Sequence, residues 1–513
     1  MNGAESLVHT LLKGGVDTCF ANPGTSEMHF VSALDRIPGI RCVLGLFEGV
    51  VTGAADGYYR MADKPAATLL HLGPGLANGV ANLHNAKRAH SSIVNVVGDH
   101  AGYHLHFDSP LTSDIASIAS PVSAWYRSAR DARSVGDDAA DAITAANSPR
   151  GQIATLVLPA DAAWNEGGVV GTVSAAPVPK PVSSDVIDEI AKALRDGDAM
   201  MLIGYKGLRA EPLALAAAIG VKTGTDVLCI GRSSRIERGA GRTAIERIPN
   251  PLENIRKRLG TKRTLILVDE EPPVTFFGFP GRESNLVPDG CKVLTLAIRG
   301  DDITGALRAL AEAVGAKAGD VATGTLNRPG LPSGDVSLDK VAQALAALMP
   351  EQAIVCDESI TSGRNLFPAS EGAPPHDWLQ LTGGAIGMGM PLAVGAAVAC
   401  PDRQVINLQA DGSGMYTLQA LWTQARERLN VVTVIWANRT YKILHGELIN
   451  VGAGPAGERA RAMLDLEDPS LDWVSLAKGM GVEGVRVTTM EEFARAFQGA
   501  LTHNGPFLIE VAL

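Results

Sequence analysis

Residues 404–440 read QVINLQADGSGMYTLQALWTQARERLNVVTVIWANRT, and the order of patterns in this stretch decides the fold class. The apolar run QVINLQA stops at Asp411-Gly412-Ser413-Gly414. A helical pattern follows from Tyr416 onward, and a second apolar run, VVTVIWA, ends in Asn438-Arg439-Thr440. Strand, glycine turn, helix and strand in that order imply parallel strands joined by a crossover helix, with ligands beyond the carboxyl ends of the strands. Backbone N–H groups at a glycine turn and helix start form a cradle for an anion. Asp411 offers a carboxylate, Asn438 an amide oxygen, and a nearby backbone carbonyl a third oxygen. A hard cation such as Mg2+ on a diphosphate suits that donor set. Read locally, the stretch equally fits a plain dinucleotide-type turn with an asparagine at a strand end.

The same alternation extends outward. Two stretches rich in Pro, Ser and Gly, SAAPVPKPVSSD at 174–185 and GDVATGTLNRPGLPSGDVSLD at 319–339, divide the chain into three pieces. The first carries DTCFA, RCVLGLF, AATLLHLG, SSIVNVVG and GQIATLVLP; the middle one carries DAMMLIG, GTDVLCIG, RTLILVDEE and CKVLTLAI. QAIVCDE and PFLIEVAL complete the last. Short apolar runs bounded by Gly, Asp or Asn read as strands buried on both faces. The expected fold is therefore α/β, with three doubly wound parallel-sheet domains at 1–173, 186–318 and 335–513. At 513 residues the chain is also too long for one ordinary core.

Composition excludes several classes of function. The net charge of −10 is spread along the chain without a Lys/Arg block, so no nucleic-acid partner is expected. No apolar run reaches the length of a membrane span, so no membrane partner is expected. Six scattered cysteines, none in a CxxC pair, predict reduced thiols in a cytoplasmic protein. The opening MNGAESLVHTLLKGG lacks the basic and apolar regions of a secretion leader.

Asp411 and Asn438 lie 27 positions apart (438 − 411), and at this spacing the chain resembles the thiamine-diphosphate enzyme family, whose motif runs from GDG to a pair of asparagines. Ala410 and Ala437 replace the first Gly and first Asn. The resemblance implies that Asp411, Asn438 and the Thr440 carbonyl hold Mg2+, with Gly412 and Ser413 at the diphosphate. LGLFEGVVTGAADGYYRM at 44–61 places Glu48 among apolar residues, where a carboxylate is costly to bury without a partner. An acid in a first helical turn would read the same way; the resemblance assigns Glu48 to N1′ of the aminopyrimidine. LTGGAIGMGMP at 381–391 lacks GxGxxG spacing and is similar to GAMGFGLP of acetolactate synthases and GGLGFALP of benzoylformate decarboxylases. Ile386 would then wedge between the cofactor rings, and the Gly384 carbonyl would accept from N4′. CDESITSG at 356–363 is similar to the decarboxylases' NESTST, which implicates Ser359, Ile360 and Thr361 at the diphosphate.

FANPGTSEMHF at 20–30 and KPAATLLHLGPGLANG at 64–79 are similar to FGNPGSNEL and KPAFINLHSAAGTGN of benzoylformate decarboxylases. They point to Thr25 as a substrate-carboxylate contact and to His71 as an acid/base group, although a histidine ending an apolar run is commonly a core residue. The decarboxylases' second active-site histidine falls near Gly278, where TFFGFPGRE has none. The paired histidines of pyruvate decarboxylases fall near Pro110-Leu111, and Leu444 replaces their glutamate. Pro110, Leu111, Ile443, Leu444 and Glu447 are the expected pocket wall. His104 and His106 in GYHLHFDSPLTSD would share one face if extended; an exposed polar loop is the other reading. FAD is not expected, because CIGRSSRIERGAGR stands where acetolactate synthases have GMLGMHG; Arg232, Arg235 and Arg238 read as surface or interface charges.

The resemblance implies a decarboxylase or carboligase that takes a small 2-oxo acid through an enamine. It also implies a homodimer at least, usually a homotetramer, because the family sets Glu48 and the cation site on different subunits. A non-catalytic cofactor-binding subunit and a lyase acting on acyl-CoA remain as alternatives. A nicotinamide-dependent dehydrogenase is opposed by the missing fingerprint.

Overall fold

The apolar runs form the strands of three sheets in the computed structural model, which describes residues 1–248 and 253–513. The first sheet runs, in spatial order, Arg41–Leu44, Thr18–Asn22, Ala66–Leu70, Ile93–Asp99, Ile153–Pro159, Trp125–Ser128. The second runs Glu246–Ile248, Asp226–Ile230, Ala199–Ile203, Thr264–Val268, Lys292–Ala297. In the third, Glu483–Val487, Phe507–Ala512, Val431–Ala437, Val405–Ala410, Ile354–Glu358 and His376–Gln380 are parallel. Helices connect most successive parallel strands; Thr264–Val268 and Lys292–Ala297 are joined by a segment without one. The expected α/β fold of three doubly wound sheets is what the chain adopts. Segments 171–183 and 321–337 carry no helix or strand beyond isolated bridges, in keeping with their composition.

One element departs from the all-parallel expectation. Ile236–Arg238, from the middle piece, pairs antiparallel with His376–Gln380 and becomes the seventh strand of the third sheet. This excursion fixes the arginines read above as surface or interface charges. Arg235 donates from Nε to Asp377 at 2.7 Å and from Nη2 to Glu237 at 2.9 Å. Arg238 is buried, not at the surface, with its guanidinium 3.5 Å from the Phe367 ring centroid, and burial pulls its pKa down to about 9.

The first and third sheets are joined by two helices rich in small residues, Glu48–Ala62 and Gly389–Ala399. A Cβ on Gly57 would lie 2.1 Å from the Leu392 carbonyl oxygen, and one on Gly395 would lie 1.9 Å from that of Ala54. Glycine at these two places lets the helix backbones meet. The contact is locked by Arg60, which is buried with Asp56. Arg60 grips Asp56 through Nε at 2.8 Å and Nη2 at 2.6 Å, and also donates to the Gln380 carbonyl at 2.7 Å and the Thr382 hydroxyl at 3.1 Å. Among the described residues no helix is long and apolar enough to cross a membrane, and all six cysteines are free thiols.

Removing one member of a buried pair strands the other charge. Arg60→Leu should therefore destabilise the protein by about 3–5 kcal/mol, read by urea denaturation; a loss below about 1 kcal/mol would contradict the role given to this pair.

Candidate functional site

Each sheet reverses its direction of growth between two interior strands, and such a reversal leaves a crevice beyond the carboxyl ends of those strands. In the first sheet it lies between Thr18–Asn22 and Ala66–Leu70. The first of these strands runs into Pro23-Gly24 and the 3-10 turn Thr25–Glu27. Glu27 is 1% exposed. Its Oε2 accepts the Gly24 N–H at 2.7 Å and lies 2.8 Å from His71 Nδ1, while Oε1 accepts the Ser26 hydroxyl at 2.6 Å. A carboxylate with those donors requires the proton on Nδ1, which leaves His71 Nε2 open. Thr25, by contrast, is exposed. Glu27, two positions beyond Thr25, is absent from the site residues expected above; its signal in the sequence is the glutamate shared with FGNPGSNEL.

Glu48 opens the helix Glu48–Ala62, where the helix dipole favours a carboxylate. It is 9% exposed, and its Oε2 accepts from Asn78 Nδ2 at 3.0 Å, a partner the sequence did not disclose. A Cβ on Gly75 would come 3.1 Å from Glu48 Oε1 and 3.4 Å from His71 Cβ, so the two expected catalytic side chains flank one glycine. Loop 108–113 packs over this region through Ser113, which meets Gly73. Pro110 and Leu111 in that loop are exposed. His104 and His106 are not extended: they flank and enter the 3-10 turn Leu105–Phe107, so the alternate spacing does not align them.

In the third sheet the reversal lies between Ile354–Glu358 and Val405–Ala410. Asp411 begins the helical turn Asp411–Gly414 and is 3% exposed. Its Oδ2 accepts the Arg439 N–H at 2.6 Å and its Oδ1 the Gly412 N–H at 2.8 Å. Asn438 Oδ1 accepts the Thr440 N–H at 3.1 Å, and Nδ2 donates to the Ser362 hydroxyl at 3.3 Å. The pairing of Ala410 with Trp436 brings the ends of these two strands side by side, which is why residues so far apart in sequence meet. Burial raises the Asp411 carboxyl above the usual range, and among the described residues no Lys or Arg forms an ion pair with it. Nor do those residues include a cluster of three or more His, Cys, Asp or Glu able to cage a metal. The cluster fits a hard cation that takes one carboxylate, amide and backbone oxygens, and completes its shell from a bound ligand.

The remaining expected residues gather here. Ser413 is buried and accepts from Gln409 Nε2 at 2.7 Å. Ser359 is buried on Asp357; Ile360 sits at φ +49°, a strained conformation for a β-branched residue. Gly384, at φ +80°, is exposed. The next residues are clamped by Asn85, which donates to the Ala385 carbonyl at 2.7 Å and accepts its N–H at 3.2 Å. Phe276 of the middle piece approaches Gly384, with its Cζ 2.7 Å from where a Cβ would stand; it is 53% exposed. Ile443, Leu444 and Glu447 share the helix Lys442–Asn450 just after Thr440, the first two exposed and the third half-buried. Among the described residues no hydrogen bond links the Glu27–Glu48–His71 group with Asp411 or Asn438.

The second sheet reverses between Ala199–Ile203 and Thr264–Val268. Asp269 accepts the Lys206 N–H at 3.0 Å and pairs with Arg299 at 3.3 Å. Burial pushes Asp269 up to about 6 and Glu270 up to about 7.

Comparison with known proteins matches both ends of the chain. Residues 1–118 match the thiamine pyrophosphate enzyme N-terminal TPP binding domain, and residues 365–511 match its C-terminal TPP binding domain. A Mycobacterium tuberculosis protein carrying the provisional name acetolactate synthase large subunit is 52% identical, over 100% of this chain and 99% of its own. Benzoylformate decarboxylase of Pseudomonas aeruginosa is 29% identical over 98% of this chain and 97% of its own. The solved structure of the thiamine diphosphate-dependent 4-hydroxybenzoylformate decarboxylase of Rhodococcus jostii superposes with a TM-score of 0.85 at 26% identity, covering 100% of this chain and 99% of that one.

Glu27→Ala would leave the Gly24 N–H, the Ser26 hydroxyl and the His71 ring without their shared acceptor. A destabilisation of about 1–3 kcal/mol is expected, with Glu27→Gln losing less because one acceptor oxygen remains; thermal denaturation of both variants checks the order.

Proposed function

We propose, from the premise that this chain belongs to the thiamine pyrophosphate enzyme family, that it decarboxylates a 2-oxo acid and either releases the aldehyde or passes the acyl unit to a second carbonyl compound. The observation that carries this reading is the convergence on Gly75 of Glu48, held by Asn78, and His71, held by Glu27. Bound thiamine diphosphate supplies a nucleophilic carbon and an electron sink for the bond that breaks. Glu48 exchanges a proton at the aminopyrimidine. His71, fixed through Nδ1, gives or takes a proton through Nε2 at the substrate. Thr25 meets the substrate carboxylate.

Asp411, Asn438 and the Thr440 carbonyl hold Mg2+; Gly412, Ser413, Ser359, Ile360 and Thr361 hold the diphosphate; Gly384 and Ile386 support the aminopyrimidine. Pro110, Leu111, Ile443, Leu444 and Glu447 line the pocket with Phe276. The low polarity of that wall favours loss of the carboxylate. A phenyl ring at 276 donates no proton, so that task falls to His71. Residues 1–173, 186–318 and 335–513 serve as pyrimidine-binding, central and diphosphate-binding domains. The absence of a hydrogen-bonded link between the two clusters, among the described residues, supports a site completed between copies. The assembly would then be a homodimer at least, with a homotetramer as the expected form. Six free cysteines support a reducing, cytoplasmic setting.

The test is a turnover panel with thiamine diphosphate and Mg2+, using pyruvate, branched and aromatic 2-oxo acids, each with and without an aldehyde acceptor. Aldehyde release identifies a decarboxylase and acyloin a carboligase; no CO2 from any acid overturns the proposal. Glu48→Gln should lower turnover roughly 100-fold or more while cofactor still binds.

Because burial raises the Asp411 carboxyl, acidification should protonate it, and release Mg2+, at a higher pH than an ordinary carboxylate would. Cation titration across pH should show this, and Asp411→Asn should weaken binding at every pH.

A further inference from the structure

Glu358 ends the strand Ile354–Glu358 and is 1% exposed. It belongs to none of the roles assigned above, yet it takes four hydrogen bonds. Oε1 accepts the N–H groups of Gly387 at 2.7 Å and Met388 at 3.2 Å. Oε2 accepts the Gly389 N–H at 2.7 Å and Gln409 Nε2 at 2.9 Å. Gln409 Nε2 also donates to the Ser413 hydroxyl at 2.7 Å. The carboxylate thus grips the loop directly after Ile386 with both oxygens and, through one amide, reaches the turn that opens with Asp411. A Cβ on Gly389 would lie 2.4 Å from Gln409 Oε1 and 2.9 Å from Glu358 Cβ, so the loop backbone closes directly on this group.

We propose that Glu358 is a positioning residue that couples the two halves of the cofactor site, setting the spacing between the Ile386 loop and the Asp411–Gly414 turn. The inference rests on the reading that these two segments hold thiamine diphosphate. Three backbone donors and one side-chain donor can all be satisfied only by a group with two acceptor oxygens and no proton of its own. An amide at this place sets N–H against N–H. An aspartate is one methylene short of reaching both the loop and Gln409. A cofactor bound across both segments therefore feels a change at 358 at both of its ends, although Glu358 touches neither end.

The experiment compares Glu358→Gln and Gln409→Met with the wild-type protein. Thiamine diphosphate affinity is measured by fluorescence titration at saturating Mg2+. The aminopyrimidine tautomer signature is measured by near-ultraviolet circular dichroism, and melting of the cofactor-free protein is followed alongside. Glu358→Gln should weaken cofactor binding roughly 10- to 100-fold and diminish the tautomer signature of what remains bound. Gln409→Met removes both bonds of that amide, to Glu358 and to Ser413, and leaves the three backbone donors in place; it should weaken binding by a smaller factor and keep the signature. This second variant also carries the test if Glu358→Gln does not fold. A Glu358→Gln protein that melts lower but binds with wild-type affinity and signature, or a Gln409→Met protein that binds unchanged, overturns the coupling role. If the wild-type protein itself binds no thiamine diphosphate, the functional reading falls and this inference with it; wild-type binding matched by both variants removes this inference alone.

Discussion

A carboxylate withdrawn from water must be met by donors, and this requirement shapes the backbone at both ends of the molecule. Glu27, Glu48, Glu358 and Asp411 are all buried, and desolvating such a group costs several kcal/mol unless hydrogen bonds replace the water. Among the described residues none of the four forms an ion pair with a lysine or arginine. Backbone N–H groups of Gly24, Gly387, Met388, Gly389, Gly412 and Arg439 carry most of the load, with Asn78 and Gln409 supplying amides. Backbone donors cannot swing away as side chains do. The acids are therefore fixed in place while their electrostatic demand on a bound cation or ring is left unspent by a local countercharge.

Topology decides where these acids fall. The first and third sheets each reverse beside strands whose ends carry them, so two copies of one architectural device face the chemistry with different residues. The second sheet uses the same device differently. There Asp269 does have an arginine partner, Arg299. Similar folds thus diverge by how their crevice carboxylates are neutralised.

The sheets and the Asp411–Asn438 cluster were legible because their signals are local. Apolar runs bounded by turn residues mark strands, and Asp411, Asn438 and Thr440 belong to one strand–helix–strand unit. Glu48 was legible as an acid in an apolar setting. Glu27 and Glu358 were not, although both lie inside segments singled out for other residues. Position 71 completes the set that Gly24 and Ser26 begin around Glu27, and 387–389 supply Glu358; nothing local distinguishes such a buried acid from a solvated one. Thr25, which the resemblance marks out, is exposed, and the buried acid lies two places on. Helix starts were blurred for a similar reason. The pattern from Tyr416 becomes a helix only at Ala420, and Thr417, ahead of it, donates its hydroxyl to the distant Gly387 carbonyl at 2.9 Å.

The strand Ile236–Arg238 carries a consequence for how such a chain can be cut or recombined. His376–Gln380 is fully buried along its length, and its outer row of backbone groups is paired only because the middle segment lends three residues to it. Excising that segment as a cassette would uncover a buried border with open N–H and C=O groups, a template for chain-to-chain association. The central unit is a gasket as well as a spacer: its boundaries in sequence are not its boundaries in space, and a shuffled or shortened descendant would have to supply another cover for that border.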